Sequence, residues 1–531
     1  MVYTMDASRS WAEAVAFSKG RILYVGSDAG ARTFVGSGTR VLHLNGNMIL
    51  PGFRDSHIHP VTGGLLLSEC RLDDLATAGA ILAAIREFRS RHPEKKWLTG
   101  SGWDLHVFAD ANPRKEALDA IVGDVPSYFE SVDGHSAWAN SAALRLGGID
   151  SNTADPPGGR IERDAVTGMP TGTLRESAMK LVAGKIPAPS PQDRLDGLRS
   201  VLQQAARFGI TALHEANATP DILDAYSELS RRSELTASIS ASLHFDRDRG
   251  EADIPELARI RSMYNARNLQ VNAVKLFMDG VIESHTAALL ESYLDRPGDS
   301  GPANYTPQVL NRLAVKLDAQ GFQLHMHAIG DRAVRMALDA CEAALIANGN
   351  HDSRHHIAHN QLIDPADIPR FAKLRVIADF EALWAYPDSD ITELTEPRLG
   401  PVRSRWLYPI GSVAATGAVI VGGSDWSVTS MNPLEAIQVA VTRAPLDSKA
   451  KPWIPEELTD VRTMLAAYTI NGAYLNHEEK ETGSIEAGKR ADLIVLNQNL
   501  FSLPKTAIHN AKVLLTLFNG REVYRDPSFR D

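Results

Sequence analysis

His57 and His59 stand two residues apart at the end of the apolar run Met48–His59. In an extended chain that spacing puts both imidazoles on one face. Lys275 lies inside a second apolar run, Val274-Lys275-Leu276-Phe277. His325-Met326-His327 ends a third, His355-His356-Ile357-Ala358-His359 a fourth, and Gly422-Gly423-Ser424-Asp425 follows Ala418–Val421. Neutral imidazole and carboxylate are donors for a zinc-type divalent ion. Four histidines and one aspartate on different strands can therefore build a centre of nitrogen and oxygen donors. A buried ammonium is costly. Lys275 makes chemical sense there if CO2 converts its amine into an anionic carbamate bridging two metals. A lone His-x-His is more often coincidence, so the weight falls on the ordered set.

The elements that must position these residues are strands. Eight candidates run along the chain: Met48–His59, Ile210–Glu215, Ala237–Phe245, Val271–Met278, Gln323–His327, His355–His359, Val376–Phe380 and Ala418–Val421. Most are followed by amphipathic text of helical period, such as 332–348. Strand–helix alternation predicts an α/β chain with a parallel sheet, and eight repeats predict a (β/α)8 TIM-like barrel whose site lies at the strands' C-terminal ends. Residues 65–195 are expected to form a large inserted α/β domain covering the barrel mouth, with helix-like text at 76–91. Short strands are expected at 14–18, 21–25, 39–44, 491–496, 513–518 and 522–524, which suggests a β-sandwich module built from both termini. The expected division is 1–50 and 480–531 for that module, and 51–64 with 196–479 for the barrel.

The chain has 531 residues, 44% hydrophobic and 23% charged, which is ordinary globular composition. Fifty-five basic against 65 acidic residues leave a charge of −10, with no basic footprint for nucleic acid or anionic lipid. No run reads as a membrane span, and Met1–Trp11 carries Asp6 and no apolar core of a signal peptide. The two cysteines, Cys70 and Cys341, form no C-x-x-C pair, so a disulfide framework and a thiolate zinc site are excluded and a reducing, cytoplasmic setting is expected.

The order His-x-His, Lys, His, His, Asp resembles the amidohydrolase superfamily of metal-dependent hydrolases. The resemblance narrows to the YtcJ-like group, which includes N-substituted formamide deformylases (amidohydrolase family 3). It is carried by Pro51-Gly52-Phe53-Arg54-Asp55-Ser56 before the histidine pair and by Asp133-Gly134-His135-Ser136-Ala137-Trp138-Ala139-Asn140-Ser141-Ala142. It continues in Val274-Lys275-Leu276-Phe277-Met278-Asp279-Gly280, His327-Ala328-Ile329-Gly330-Asp331-Arg332-Ala333, Gly423-Ser424-Asp425 and the segment from Gly483 to Leu493. The resemblance implies His57, His59 and Asp425 on one metal, His327 and His359 on a second, and carboxylated Lys275 as the bridge. The metal is expected to be zinc, one or two ions per chain. It further implies a water acidified to a pKa near ~7 as nucleophile, with Asp425 as base and then acid. Two departures stand out. Family chains begin with one more strand before Val2, and they carry glutamate where this chain has Ala358.

Other residues carry two readings. His325 is a residue behind the ligands or core; His355 and His356 are structural. Asp331 either caps a helix or orients a ligand. His135, Trp138 and Trp103 either pack the insert or touch substrate; Asp279, Glu283 and His285, just past the lysine strand, are substrate-contact candidates. Tyr128, Phe129 and Trp138 hint at a hydrophobic acyl or aryl group. Cys341 is core, and 478–481 is a solvated turn. The function expected is hydrolysis of a small molecule's non-peptide carbon–nitrogen bond, an amide. The rivals are an ester, lactone or carbamate hydrolase, a deaminase, and an inactive scaffold. Family habit points to a homodimer.

Overall fold

Eight parallel strands, rich in Val, Ile, Leu and Ala and buried along most of their length, carry the segments that end in potential ligands. They are β1 (Phe53–Ile58), β2 (Ile210–Ala218), β3 (Ser238–His244), β4 (Leu269–Phe277), β5 (Gln323–Ala328), β6 (His356–His359), β7 (Ile377–Phe380) and β8 (Ile420–Gly422). The structure is a computed structural model describing residues 1–73, 75–131, 134–157, 159–266 and 268–529. Neighbouring strands pair in chain order from β1 to β8. The sheet closes where the Ser424 and Asp425 amides donate to the His57 carbonyl, at 3.2 and 2.7 Å. This is a (β/α)8 barrel, and each expected barrel strand is present.

Register sets the interior layers. Lys275 pairs with His325 and Phe277 with His327. His325 pairs with His356, and Ala328 with His359. Alternation then directs Lys275, His325 and His356 inward below the mouth. Helices such as Pro307–Ala319 and Asp331–Asn348 follow the strands, their buried faces lined by Leu, Ala and Val.

The long candidate Met48–His59 is two strands. Met48–Pro51 belongs to a six-stranded sheet from both termini, in the order Trp11–Ala12, Val2–Tyr3, Met48–Pro51, Leu493–Leu496, Val513–Phe518 and Arg521–Arg525. A hairpin of Ala14–Ser18 and Arg21–Gly26 accompanies it. The strand expected at 39–44 is absent. Val41 is exposed, while Leu42 and Leu44 pack on the sheet core from a loop. Glycines 36, 38 and 46 surround this stretch and favour turns over a ladder.

The chain divides into two compact units, Met1–Pro60 with Arg199–Asp531, and Val61–Leu198. The barrel and the terminal sheet share the first. The second has its own six-stranded sheet, in the order Gly159–Arg163, Pro170–Glu176, Ser136–Ala139, Ser127–Ser131, Leu98–Trp103 and Cys70–Arg71. The expected helix at its start is Ala78–Arg91, opened by Thr77, whose hydroxyl accepts from the Ala80 amide. No helix among the described residues is long and apolar enough to cross a membrane.

The segment 478–481 is not uniformly solvated. Glu478 is buried between Arg54 and Arg490, and Glu479 pairs with Arg354. Their partners come from distant parts of the chain, which is why local composition read as a surface turn.

Candidate metal centre

Each candidate ligand hangs from the C-terminal end of a strand. His57 leaves β1 beside Gly423, where an added Cβ would sit 2.7 Å from the His57 Cβ, so only glycine lets β8 approach this closely. His359 ends β6 with φ +76°, and Asp425 follows β8 with φ +49°. Left-handed backbone at non-glycine residues costs free energy and gathers at functional sites.

The side chains converge. A ligand atom from each of His57, His359 and Asp425 lies within 4.8 Å of the others. Asp425 Oδ1 is 3.3 Å from His59 Nε2 and 3.7 Å from His57 Nε2. Lys275 Nζ is 3.2 Å from His57 Nε2. The His327 ring lies 4.5 Å from that of His359, and its Nε2 is 3.2 Å from the Gly280 carbonyl. All six residues are thus at one end of the barrel. His359, assigned by the resemblance to the second metal, clusters with His57 and Asp425.

The outward nitrogens are occupied. His359 Nδ1 is 2.9 Å from Glu381 Oε2, and His59 Nδ1 is 3.4 Å from Glu215 Oε1. His57 Nδ1 is 2.9 Å from His325 Nε2. Partners of this kind fix an imidazole's tautomer and leave the other nitrogen for a metal. Glu215 and Glu381 were not anticipated from sequence. Their signal was a carboxylate at the end of an expected strand and one just past another.

Electrostatics are dominated by burial. It pushes His57 and His327 well below the usual imidazole range and His359 to about 3, so the rings stay neutral. Burial opposes charge on His59 too, but hydrogen bonds to Asp425 and Glu215 raise it to about 9. Desolvation lowers Lys275 to about 8 despite nearby carboxylates. Burial raises Asp379 and Glu381 well above the carboxylate range. Asp379 Oδ2 and Glu381 Oε1 are buried without a hydrogen-bond partner. The neutral imidazoles of His57, His327 and His359, the Asp425 carboxylate and the unsatisfied buried acid oxygens fit a divalent cation.

The substrate candidates separate. Trp103 and Trp138 are fully buried in the insert's own core, their indole N–H groups donating to the Phe129 and Arg114 carbonyls. Their expected contact with substrate is corrected: they present no surface and serve packing. Tyr128 and Phe129 are buried as well. His135 is exposed, with Nδ1 3.0 Å from Glu176; Asp133 of the same motif lies outside the described residues. Asp279 is buried, and its carboxylate accepts the Ala288, Ile329 and Gly330 amides, so it organises loops. Glu283 accepts from Gln361 and Thr395. His285 is buried with Nε2 2.7 Å from Asp295. Asp331 opens the helix after β5 and accepts the Leu290 amide, away from the ligands. His355 accepts the Leu324 amide and pairs with Asp318, a structural role. Cys341 is buried in its helix.

Comparisons with known proteins show the family of the chain. The Amidohydrolase family profile matches residues 40–524. The protein YtcJ of Bacillus subtilis is 30% identical over 532 residues, covering 98% of each chain. The N-substituted formamide deformylase of Arthrobacter pascens is 29% identical over 98% of this chain and 96% of its own. The fold of an uncharacterised metal-dependent hydrolase from Pyrococcus furiosus superposes with a TM-score of 0.76 at 23% identity, covering 94% of this chain and 97% of that one. With the profile spanning most of its length and a relative 30% identical over nearly all of both chains, the chain belongs to the amidohydrolase family.

Proposed function

We propose that this protein hydrolyses an amide, a non-peptide carbon–nitrogen bond, in a small molecule at a zinc centre. The convergence of His57, His359 and Asp425 donor atoms within 4.8 Å carries the reading. His57, His59 and Asp425 would hold one ion, and His327 and His359 would hold a second. A bound divalent ion supplies Lewis acidity toward the substrate carbonyl and lowers the pKa of water. Lys275 would complete the donor set as a carbamate: its neutral amine attacks CO2, an N–C bond forms as one C=O π bond breaks to leave a carboxylate oxygen, and the displaced N–H proton leaves to solvent. A buried amine lowered to about 8 has the free base this step needs within reach.

The chain's own residues then manage protons and orientation. Asp425 Oδ1, between His57 and His59, takes the proton of the attacking water and delivers it to the leaving nitrogen. Glu381 and Glu215 hold His359 and His59 in place from behind. The likeness to the N-substituted formamide deformylase of Arthrobacter pascens supports an amide.

A panel of N-formyl amines, N-acyl amino acids, anilides and matched esters tests the reading, using protein stripped by chelator and reloaded with zinc. Amine release that vanishes on stripping and returns with zinc is the expected result. Cleavage of esters alone, or of nothing by reloaded protein, would overturn it.

A further inference from the structure

A line of hydrogen bonds leads from His57 down the barrel interior. His57 Nδ1 lies 2.9 Å from His325 Nε2. His325 Nδ1 lies 2.8 Å from Ser242 Oγ, and Ser242 Oγ lies 2.8 Å from His214 Nε2. All four side chains are buried, so water cannot substitute for a lost partner. They come from β1, β5, β3 and β2, so the line crosses the barrel rather than following one strand.

We propose that Ser242, His325 and His214 form a one-way relay that fixes the tautomer of His57 and thereby presents its Nε2 to the metal. This rests on the metal-centre reading above. Proton counting sets the direction. A ligating nitrogen carries a lone pair, so His57 must hold its proton on Nδ1 and donate it to His325 Nε2. His325 then bears its own proton on Nδ1 and donates to Ser242. The single hydroxyl proton of Ser242 is left for His214 Nε2. Every link has one donor and one acceptor; reversing any one alone leaves two lone pairs or two protons facing each other in a dry interior, and reversing the whole line would put a proton on His57 Nε2, where the ion must find a lone pair. His325, Ser242 and His214 are positioning residues; none reaches a reacting atom.

The same layer suggests an alternative. His214, His325 and His356 bring three ring nitrogens within 4.8 Å, a possible second metal cage. Both His325 nitrogens, however, already have partners at 2.8 and 2.9 Å, and ligation would break one of them. The relay keeps all three hydrogen bonds of the line as they stand.

The test uses full-length protein and zinc alone, with affinity read by competition against a colorimetric chelator. Ser242→Ala should weaken zinc binding about 10–100-fold, and Ser242→Thr, which keeps the hydroxyl, should restore it. Ser240→Ala, one strand period away on the same face, should bind as wild type. Nitrogen-15 spectra of histidine-labelled protein should show His57 protonated at Nδ1 in wild type and a mixed tautomer in Ser242→Ala. A folded Ser242→Ala protein with wild-type affinity and an unchanged His57 tautomer would overturn the relay, and His325→Gln provides a second variant should the first not fold. Zinc retained by Asp425→Ala and lost in His356→Gln would also overturn it, in favour of the three-histidine cage. Wild-type protein that binds no zinc would instead defeat the underlying metal reading.

Discussion

The Asp425 amide donates to the His57 carbonyl at 2.7 Å, across the seam where β8 meets β1. The bond that closes the barrel is therefore also the bond that sets two candidate ligands side by side, with Asp425 Oδ1 3.7 Å from His57 Nε2. Closure of the fold and assembly of the site are one event.

Because that seam uses the Asp425 backbone, Asp425→Asn should keep the fold while removing the proton carrier. Turnover at saturating substrate should fall by about 10²–10⁴-fold, the usual share of general acid–base catalysis. Circular dichroism alongside steady-state kinetics checks both halves. Near wild-type turnover would rule out the role.

Glu381 holds His359 from behind at 2.9 Å. Glu381→Gln keeps the shape but weakens this partner. Zinc affinity should drop about 10–100-fold, the range seen when such supports are removed. Chelator competition measures it, and an unchanged affinity would show that His359 needs no carboxylate.

Much of this was legible in sequence. Apolar runs of strand length, most followed by text of helical period, marked all eight barrel strands, and the histidines at their ends marked the candidate site. What was not legible lay in long-range partnerships. Glu381 and Glu215 stood at strand ends, but nothing local says which histidine a carboxylate will support. Trp103 and Trp138 were visible as large aromatics. Whether such a ring faces a ligand or a core depends on the sheet it packs against, and here it is the core. Glu478 read as a surface acid because Arg54 lies 424 positions away.

Trp138→Ala should accordingly destabilise the insert by about 3–5 kcal/mol, as for other buried aromatic truncations. Trp138→Phe, which refills most of the volume, should leave KM within about twofold of wild type if the ring serves packing. Thermal unfolding and initial-rate kinetics separate the two effects. A large KM change with an unchanged melting temperature would restore the substrate-contact reading.

Glu478 offers a pH test. Burial favours its neutral form, but Arg54 and Arg490 outweigh this and hold its pKa below the usual value. A depressed folded pKa contributes stability that is present above the unfolded value, about 4.3, and is lost as pH falls through the folded pKa. Glu478→Gln should cost about 3–5 kcal/mol near neutral pH, the scale of breaking a buried pair. The gap to wild type should narrow as pH falls below the unfolded value toward the depressed folded pKa, below which wild-type Glu478 also becomes neutral. Denaturant melts across pH would show a constant gap if the pairing contributed nothing.

On the proposed reading, His57, His59, Lys275, His327, His359 and Asp425 together hold the metal. Elemental analysis of purified, metal-replete protein tests it most directly. Between one and two zinc-like ions per chain, falling when His57 and His59 are both replaced by alanine, is the result expected. No bound metal in the replete wild-type protein would contradict it.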